Sequence, residues 1–245
     1  MTRNYSKNFP FYLVPFVCGL ISTLSLPPYN FFYLNFISFP FLLLFYLRLE
    51  IKKSFSSFLY GWIFGFAYFV SNIYWIANSL TVEEIFKSLI PFAITIIPLF
   101  LGIFYGISFL IFSYFKPKKK VESILLFALI FSFIEYLRGH ILGGFPWNLI
   151  SFSLVEINQF IQVLSYIGTY SFNLIVVTIF LVPATILFNV TIKAKLLTVF
   201  LALILIISNL IFGNLVLSKH NNISSSPLNL IIKIVSPRID LKRFF

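Results

Sequence analysis

Charge is scarce in this sequence of 245 residues. Only 10% of the residues are charged, with seven Asp and Glu against 18 Lys and Arg, while 60% are hydrophobic. A soluble domain of this size needs a much more polar surface, so the composition excludes an ordinary water-facing protein. The mean hydropathy of +0.98 instead predicts a polytopic membrane protein.

Cysteine and histidine are almost absent as well. The only cysteine, Cys18, lies within the first apolar stretch, which excludes an intrachain disulfide. We interpret it as a packing residue, because a thiol buried in lipid is a poor nucleophile. The two histidines, His140 and His220, are far apart and have no cysteine or carboxylate at ligand spacing. The sequence therefore predicts no metal site and no cofactor.

Long apolar runs dominate the rest of the chain. A helix that crosses roughly 30 Å of hydrocarbon needs about 20 mostly apolar residues. The first two runs are separated by the helix-breaking sequence Pro27-Pro28-Tyr29-Asn30 and should form a helical hairpin. The predicted fold class is an all-α, polytopic membrane helical bundle of about seven transmembrane helices, which form a membrane domain over residues 1–217. The predicted helices cover residues 9–26, 31–47, 55–80, 89–115, 121–139, 160–188 and 196–217.

Lysine and arginine alternate between the connections of these helices. Cations of short loops stay on the cytoplasmic side, so the alternation predicts a cytoplasmic amino terminus and, after seven crossings, a periplasmic carboxyl terminus. The net charge of +11 thus reflects topology. We predict no nucleic-acid partner, since nucleic-acid binding needs a basic face on a folded domain. The cytoplasmic set comprises Arg3, Lys7, Arg48, Lys52, Lys53, Lys116, Lys118, Lys119, Lys120, Lys193 and Lys195, against Lys87, Arg138 and Lys219 in the intervening segments.

Rare polar residues gather in the stretch IEYLRGHILGGFPWN, residues 134–148. Glu135 and Arg138 are three residues apart near the end of the fifth helix, so they share a face and can pair, with Arg138 able to extend toward the membrane interface. The helix is expected to end at Gly139. The loop that follows, to about Gln159, is unusually long for this chain, which makes it a candidate functional element.

The loop combines flexible and rigid residues. Gly143 and Gly144 supply flexible or left-handed backbone, Pro146 stiffens the next step, and Phe145 and Trp147 supply apolar bulk at headgroup height. Composition leaves two interpretations open. One is an interfacial anchor with an ion pair that reaches toward water, and the other is a loop that docks lipid or protein.

Two further features concern the third and fourth helices. The spacings Gly61-xxx-Gly65 and Gly102-xxx-Gly106 let helix backbones approach closely, so these two helices are predicted to pack together. Tyr74 and Trp75, late in the third helix, fit the outer aromatic belt. The centres of the predicted spans carry no ionisable residue and no internal repeat is visible, both of which disfavour a transporter.

Motifs along the whole chain resemble one enzyme family. Their types and their order along the chain resemble the membrane portion of apolipoprotein N-acyltransferase. The most specific element of the resemblance is the motif Glu-x-x-Arg-Gly followed, at this spacing, by Gly-Phe-Pro-Trp. The motifs are Leu26-Pro27-Pro28-Tyr29, Gly61-Trp62 with Gly65, Tyr74-Trp75-Ile76, Glu135-Tyr136-Leu137-Arg138-Gly139, Gly144-Phe145-Pro146-Trp147, and the segment from Gln162 to Ser171.

The resemblance implies an activity and a missing part. The family moves an acyl chain from a phospholipid to the free amine of a lipoprotein's diacylglyceryl cysteine at the outer face of the bacterial inner membrane. Its cysteine nucleophile, glutamate base and oxyanion-stabilising lysine lie in a nitrilase-like domain after the seventh helix. No position here matches them, so no catalytic residue is predicted. Residues 218–245 are expected to be an extracytoplasmic tail, in which 230–238 look like the first strand of a truncated nitrilase-like domain.

Three functional hypotheses follow. The first is a truncated or split apolipoprotein N-acyltransferase-like protein of lipoprotein maturation, inactive alone, whose partners are membrane phospholipid, a lipoprotein substrate and a separately encoded nitrilase-like domain. The second is a non-catalytic lipid-binding or scaffold membrane protein, and the third is a transporter. The residues expected near the lipid or substrate are Tyr74, Trp75, Glu135, Arg138, Gly144, Phe145, Pro146 and Trp147.

Overall fold

The chain is helical, as the all-α prediction requires. A computed structural model describes residues 5–49, 51, 53–115, 117, 119–221 and 233, with the backbone alone at 5–9, 220 and 221. No β-strand occurs among those residues. The helices are α1 (Tyr5–Thr23), α2 (Asn35–Arg48), α3 (Ser54–Asn72), α4 (Ile90–Phe115), α5 (Lys120–Arg138), α6 (Asn158–Ile161), α7 (Leu164–Ile167), α8 (Thr169–Leu181), α9 (Ala184–Leu187) and α10 (Ile192–Asn221).

Several helices have the length and composition of membrane spans. Within the described residues, three stretches are long and apolar enough to cross a membrane, namely Glu84–Phe115, Thr169–Leu187 and Ile192–Lys219, and two shorter apolar helices cover Pro10–Thr23 and Phe32–Arg48. They mark the chain as a membrane protein, although three is fewer than the seven crossings predicted. Charge explains why α5 is not among the three, since its 19 residues contain two cations and two carboxylates.

The predicted contact between α3 and α4 is confirmed. A methyl group built on Gly65 would lie 2.8 Å from the Cα atom of Gly102, which shows how closely the two backbones approach. The indole Nε1 of Trp62 donates a hydrogen bond to the Leu99 carbonyl oxygen across the same interface, at 3.0 Å. The two GxxxG motifs therefore form one helix–helix seam.

The third helix is shorter than predicted. It ends at Asn72 and is followed by two 3₁₀ segments, Tyr74–Thr81 and Glu84–Leu89. Side chains of the first segment bond to nearby carbonyls, with Ser79 Oγ donating to Ile76 O and Thr81 Oγ1 donating to Asn78 O, both at 2.7 Å. Such local bonds compete with the α-helical pattern and favour tight turns.

The predicted sixth helix, residues 160–188, is wrong as a single element. The chain forms the short helices α6 and α7 and then the α8–α9 pair. Gly168 has φ +76°, which ends the first part because a left-handed residue cannot continue a right-handed helix. Pro183 separates α8 from α9, since its ring removes a backbone donor and clashes with the preceding turn.

An aromatic core lies between α2, α3, α4 and α5. The ring of Phe131 stacks on Tyr105 at a centroid distance of 4.6 Å and meets Phe39 edge-on at 5.5 Å. Helix α10 lies at the edge, where Gly213 packs against the backbone of Gln159. It continues to Asn221, four residues past the predicted end at 217. The strand prediction at 230–238 lies outside the described residues, apart from Lys233.

Candidate functional site

One end of the bundle contains a cavity of about 430 Å³. It forms where the α1–α2 turn, the end of α3, the first 3₁₀ segment and the loop after α5 meet. None of its lining residues is charged. The lining comprises Thr23, Leu26, Pro27, Pro28, Tyr29, Ser71, Asn72, Tyr74, Trp75, Trp147, Asn148, Phe152 and Val155.

Behind this cavity, Arg138 holds the loop in place. Its Nη1 donates hydrogen bonds to the carbonyl oxygens of Phe145, at 2.7 Å, and Trp147, at 2.9 Å. The guanidinium lies between the rings of Phe69 and Phe145, 5.2 and 5.8 Å from their centroids. The side chain is 1% exposed. The interpretation of an ion pair that reaches toward water is therefore wrong, because two loop carbonyls and two aromatic rings hold Arg138 inside.

Glu135 is buried beside it and joins several elements. Its carboxylate is 0% exposed, accepts hydrogen bonds from Tyr105 Oη at 2.9 Å and Asn173 Nδ2 at 2.5 Å, and lies 3.5 Å from Arg138 Nη2. Asn173 Oδ1 in turn accepts a hydrogen bond from the Ser151 amide at 2.9 Å. The carboxylate thus ties α4, α5 and α8 to the 3₁₀ segment Ile150–Leu154.

The loop that Arg138 holds has an unusual backbone. Four residues have positive φ, namely Leu142 (+54°), Gly143 (+84°), Gly144 (+75°) and Asn148 (+60°). A side chain at Gly144 would run into the Gly139 carbonyl oxygen. Leucine rarely adopts this left-handed conformation, so the surrounding contacts must stabilise the strained segment. One such contact is the hydrogen bond from Tyr68 Oη to the Asn148 carbonyl, at 2.9 Å.

Aromatic residues form the rim of the cavity. The rings of Trp75 and Trp147 lie 5.6 Å apart, although the two residues are 72 positions apart in sequence, and Tyr74 lies beside them on the lining. All three are exposed. The predicted site residues therefore form two layers, with Tyr74, Trp75 and Trp147 at the cavity. Glu135 and Arg138 lie behind the turn formed by Gly144, Phe145 and Pro146.

The polar floor of the cavity was not predicted. Asn148 Nδ2 donates to Asn72 Oδ1 at 2.7 Å, and the hydroxyls of Thr23 and Ser71 lie 2.8 Å apart. Tyr105 and Asn173, which hold Glu135, were missed too. Asparagine inside an apolar run is the signal that identifies Asn72 and Asn173, since an amide within a membrane helix needs a partner.

The cavity lining has no charged side chain and no cysteine. The described residues include no group of three or more His, Cys, Asp or Glu that could hold a metal ion. The thiol of Cys18 is buried and lines a different, apolar groove between α1 and α2. What the cavity offers a ligand is amide groups at the floor and indole rings at the mouth. Such a lining suits an uncharged polar group attached to an apolar body.

Comparison with known proteins identifies relatives of this chain. The family model described as the apolipoprotein N-acyltransferase N-terminal domain matches residues 18–182, which include every residue of the cavity lining. The apolipoprotein N-acyltransferase of Brucella melitensis biotype 1 is 31% identical over 236 residues, and that of Sinorhizobium medicae is 31% identical over 235. Each alignment covers 93% of this chain and 43% of the relative.

A third relative aligns over a shorter part of the chain. The apolipoprotein N-acyltransferase of Rhizobium rhizogenes is 33% identical over 181 residues, which are 70% of this chain and 34% of that protein. The chain thus spans less than half the length of the curated relatives it matches. Because the family model covers most of the chain and the identities exceed 30%, the chain belongs to the apolipoprotein N-acyltransferase family through that family's N-terminal domain.

Proposed function

We propose that this chain is the membrane part of an N-acyltransferase of lipoprotein maturation in the bacterial inner membrane. In this role it binds the lipid groups of the phospholipid donor and the lipoprotein acceptor, and it presents them for acyl transfer. The family membership supports the proposal. So does the position of the cavity, at the end of the bundle that contains the strained loop.

The observation that carries the proposal is the Arg138 clamp beside the cavity. A buried guanidinium that binds Phe145 O and Trp147 O fixes Trp147 against Trp75. Large rigid aromatic groups at the mouth of an uncharged cavity bind an apolar ligand at little cost in conformational entropy. Strained backbone conformations cost free energy and cluster at functional sites, so the strained loop favours a functional element over a simple interfacial anchor.

The chemical step is assigned to another domain. Acyl transfer through a thioester needs a cysteine next to a base and an oxyanion-stabilising donor. The one cysteine of this sequence, Cys18, is buried in α1 and does not line the cavity. We therefore propose that these residues alone are inactive and that a nitrilase-like domain supplies the nucleophile.

The same proposal includes a topology. The seven crossings are α1 to α5, the α8–α9 pair and α10, with the amino terminus in the cytoplasm and the cavity at the periplasmic face. The cation distribution supports this orientation. In a Cys18→Ala background, Leu142→Cys should react with a membrane-impermeant maleimide added outside spheroplasts, whereas Phe55→Cys, at the other end of the bundle, should not. Labelling of Phe55→Cys alone would reverse the topology.

A reconstitution assay tests the proposed activity. The chain is incorporated into phospholipid vesicles with a diacylglyceryl lipopeptide, with and without a separately produced nitrilase-like domain from a family member. We expect N-acylated lipopeptide, detected by mass spectrometry, only when both proteins are present. Acylation by this chain alone would overturn the assignment of catalysis to another domain, and no acylation by the pair would overturn the role in transfer.

A non-catalytic lipid-binding or scaffold protein is the second candidate. It is favoured by the absence of a nucleophile or charged group from the cavity lining. This candidate predicts that the chain accumulates stably in the membrane, binds lipid at the cavity and retains a defined protein partner, while the vesicle assay gives no acylated product.

A further inference from the structure

A second cavity, of about 240 Å³, lies between α2, α8 and α10. Every side chain that lines it is hydrophobic, and each of these residues is buried or half-buried. Two of the lining rings, those of Phe36 and Phe180, meet edge-on with their centroids 4.9 Å apart. The lining comprises Phe32, Phe36, Leu154, Ile157, Phe160, Val176, Ile179, Phe180 and Ile206.

Helix α10 is attached to the bundle on both sides of this cavity. Near its start, Lys195 Nζ donates a hydrogen bond to the Ile186 carbonyl oxygen at 2.9 Å, and near its end Gly213 packs against the backbone of Gln159. At 1.5 Å per residue, the stretch of α10 between these contacts is about 27 Å long. Ile206, which lines the cavity, lies within that stretch. The second cavity is therefore a gap between the middle of α10 and the rest of the bundle.

The lining and the position of the cavity define its occupant. Both α8 and α10 lie in stretches that are long and apolar enough to cross a membrane, so the hydrocarbon of the bilayer is next to the cavity. A wholly apolar lining offers no hydrogen bond to water, to a peptide or to a lipid headgroup. An apolar cavity of about 150 Å³ stays dry and already binds benzene, whereas an empty cavity forfeits dispersion contacts. A hydrocarbon chain is the occupant that satisfies these conditions.

We propose that the second cavity is an acyl-chain site that holds one fatty acyl tail of a phospholipid from the surrounding bilayer. The tail enters laterally beside α10, and the polar headgroup stays at the membrane surface. One short segment separates this site from the cavity at the α1–α2 turn, because Leu154 and Ile157 line the second cavity while Phe152 and Val155 line the first. The proposal goes beyond the proposed function, since binding at this separate site involves no acyl transfer.

The groove between α1 and α2 shows what distinguishes the second cavity from ordinary lipid contact. The groove is larger, at about 290 Å³, but four of its lining residues are exposed, namely Leu13, Val17, Ile37 and Phe41. A tail in that groove stays part of the lipid layer around the protein. A tail in the second cavity instead leaves the bilayer and touches residues that surrounding lipid does not reach.

Photolabelling in a bilayer tests the proposal on the unmodified protein. The chain is reconstituted into vesicles of phosphatidylethanolamine and phosphatidylglycerol with a trace of a phosphatidylethanolamine that carries a diazirine at the end of one acyl tail. After irradiation, labelled residues are identified by peptide mass spectrometry. We expect label on Val176 and Phe180, which line the cavity and are each 1% exposed, as well as on the exposed Leu205. Phe131, in the aromatic core and 0% exposed, should remain unlabelled.

Two neighbouring residues of α10 provide a matched pair of variants. Ile206→Trp places an indole in the cavity, whereas Leu205→Trp adds the same ring to the exposed side of the helix. We expect the label on Val176 and Phe180 to be lost in Ile206→Trp and retained in Leu205→Trp. Label on the exposed Ile211 should persist in both variants, which shows that α10 still lies in the bilayer.

The labelling pattern can overturn the proposal in four ways. Label confined to exposed residues of the unmodified protein shows that no tail enters the cavity. Equal label on Val176 and Phe131 shows access to the whole interior and no specific site. Label on Val176 that survives in Ile206→Trp locates the tail elsewhere. A diacylglyceryl lipopeptide with the same diazirine that labels Val176 where the phospholipid does not overturns the choice of phospholipid.

The test is independent of the proposed function, because it measures no acyl transfer. An unlabelled cavity leaves the vesicle acylation assay to be judged by its own result, and failure of that assay leaves the labelling pattern intact. Should Ile206→Trp not fold, the contrast between Val176 and Phe131 in the unmodified protein still decides.

Discussion

Helices α5 and α10 are both rich in leucine, isoleucine and phenylalanine, yet the protein uses them differently. In α5 the last turn carries Glu135 and Arg138, which are the most deeply buried charges among the described residues. In α10 only 11% of the most apolar stretch is buried, against 44% for Glu84–Phe115. The more apolar helix is thus the more exposed one, whereas α5 keeps its charged face inside the bundle and exposes apolar residues such as Leu129 and Phe133 on the other side.

The difference follows from the contacts that the side chains of each helix require. An apolar side chain gains little from protein contact when lipid is the alternative, so α10 needs only one close crossing, at Gly213. A buried ion pair gains nothing from lipid and needs specific donors and acceptors. Around α5, Tyr105 and Asn173 donate to Glu135, and the loop carbonyls accept from Arg138 Nη1. The polar residues at this end of α5 therefore mark where helices and the following loop are joined by specific hydrogen bonds.

The largest effect is expected where helices touch through glycine. In Gly65→Leu the new side chain has no space, because even a methyl group would lie 2.8 Å from Gly102 Cα and 3.1 Å from Tyr105 Cβ. We expect the α3–α4 seam to open and the folded protein to be lost, measured as the monodisperse fraction after solubilisation in mild detergent. The matched change Ser208→Leu, on the exposed side of α10, should leave that fraction unchanged. Equal losses for both variants would contradict the comparison.

The next effect is expected at the Arg138 clamp. Arg138→Met keeps the apolar stem but leaves Glu135 buried without its cation and frees the carbonyls of Phe145 and Trp147. Removing one member of a buried ion pair typically lowers the free energy of unfolding by about 3–5 kcal/mol. We also expect faster proteolysis of the loop between Gly139 and Leu149, detected by mass spectrometry.

An exposed ion pair with the same spacing provides the control. Lys87 and Glu84 pair three residues apart, as Arg138 and Glu135 do, but on the surface. Lys87→Met should change neither stability nor proteolysis measurably, since exposed pairs contribute little. Adding Glu135→Gln to Arg138→Met should restore part of the lost stability because a neutral amide does not need the cation. Wild-type loop protection in Arg138→Met would show that Arg138 does not hold the loop.

Much of the fold could be predicted because it depends on local sequence. Apolar runs and proline breakers located the α1–α2 hairpin, α4 and α5 to within a few residues, and glycine spacing identified the α3–α4 seam. The prediction failed where short-range geometry overrides apolar content. Gly168 and Pro183 interrupt a run that hydropathy alone treats as one helix, and the serine and threonine bonds after Asn72 replace an α-helix with 3₁₀ turns.

The candidate site was predictable only in part, for a similar reason. The pair Glu135 and Arg138 and the Gly-Phe-Pro-Trp turn stand out because such residues are rare in this chain. Their burial could not be read from the sequence, since it depends on Phe69 and Tyr105, which look like any other aromatic residues of an apolar helix. The contact between Asn72 and Asn148 joins residues 76 positions apart, and only the folded chain reveals it.

The smallest effect that still distinguishes the two regions is expected at Tyr105. Tyr105→Phe removes one hydrogen bond to the buried carboxylate of Glu135, while Asn173 and Arg138 remain beside it. A hydrogen bond to a charged group contributes about 1.5–3 kcal/mol, so the free energy of unfolding should fall by about 2 kcal/mol. Denaturant titration in detergent micelles measures this fall.

Tyr114→Phe, on the exposed end of α4, is the matched control for this measurement and should not alter the unfolding transition. Loop proteolysis should stay at the wild-type rate in Tyr105→Phe, because Arg138 still binds both loop carbonyls. If loop proteolysis were as fast in Tyr105→Phe as in Arg138→Met, the result would show that the Glu135 carboxylate orients Arg138. Glu135 would then also be needed to hold the loop. If it had no effect on stability, Asn173 alone would suffice to hold the buried carboxylate.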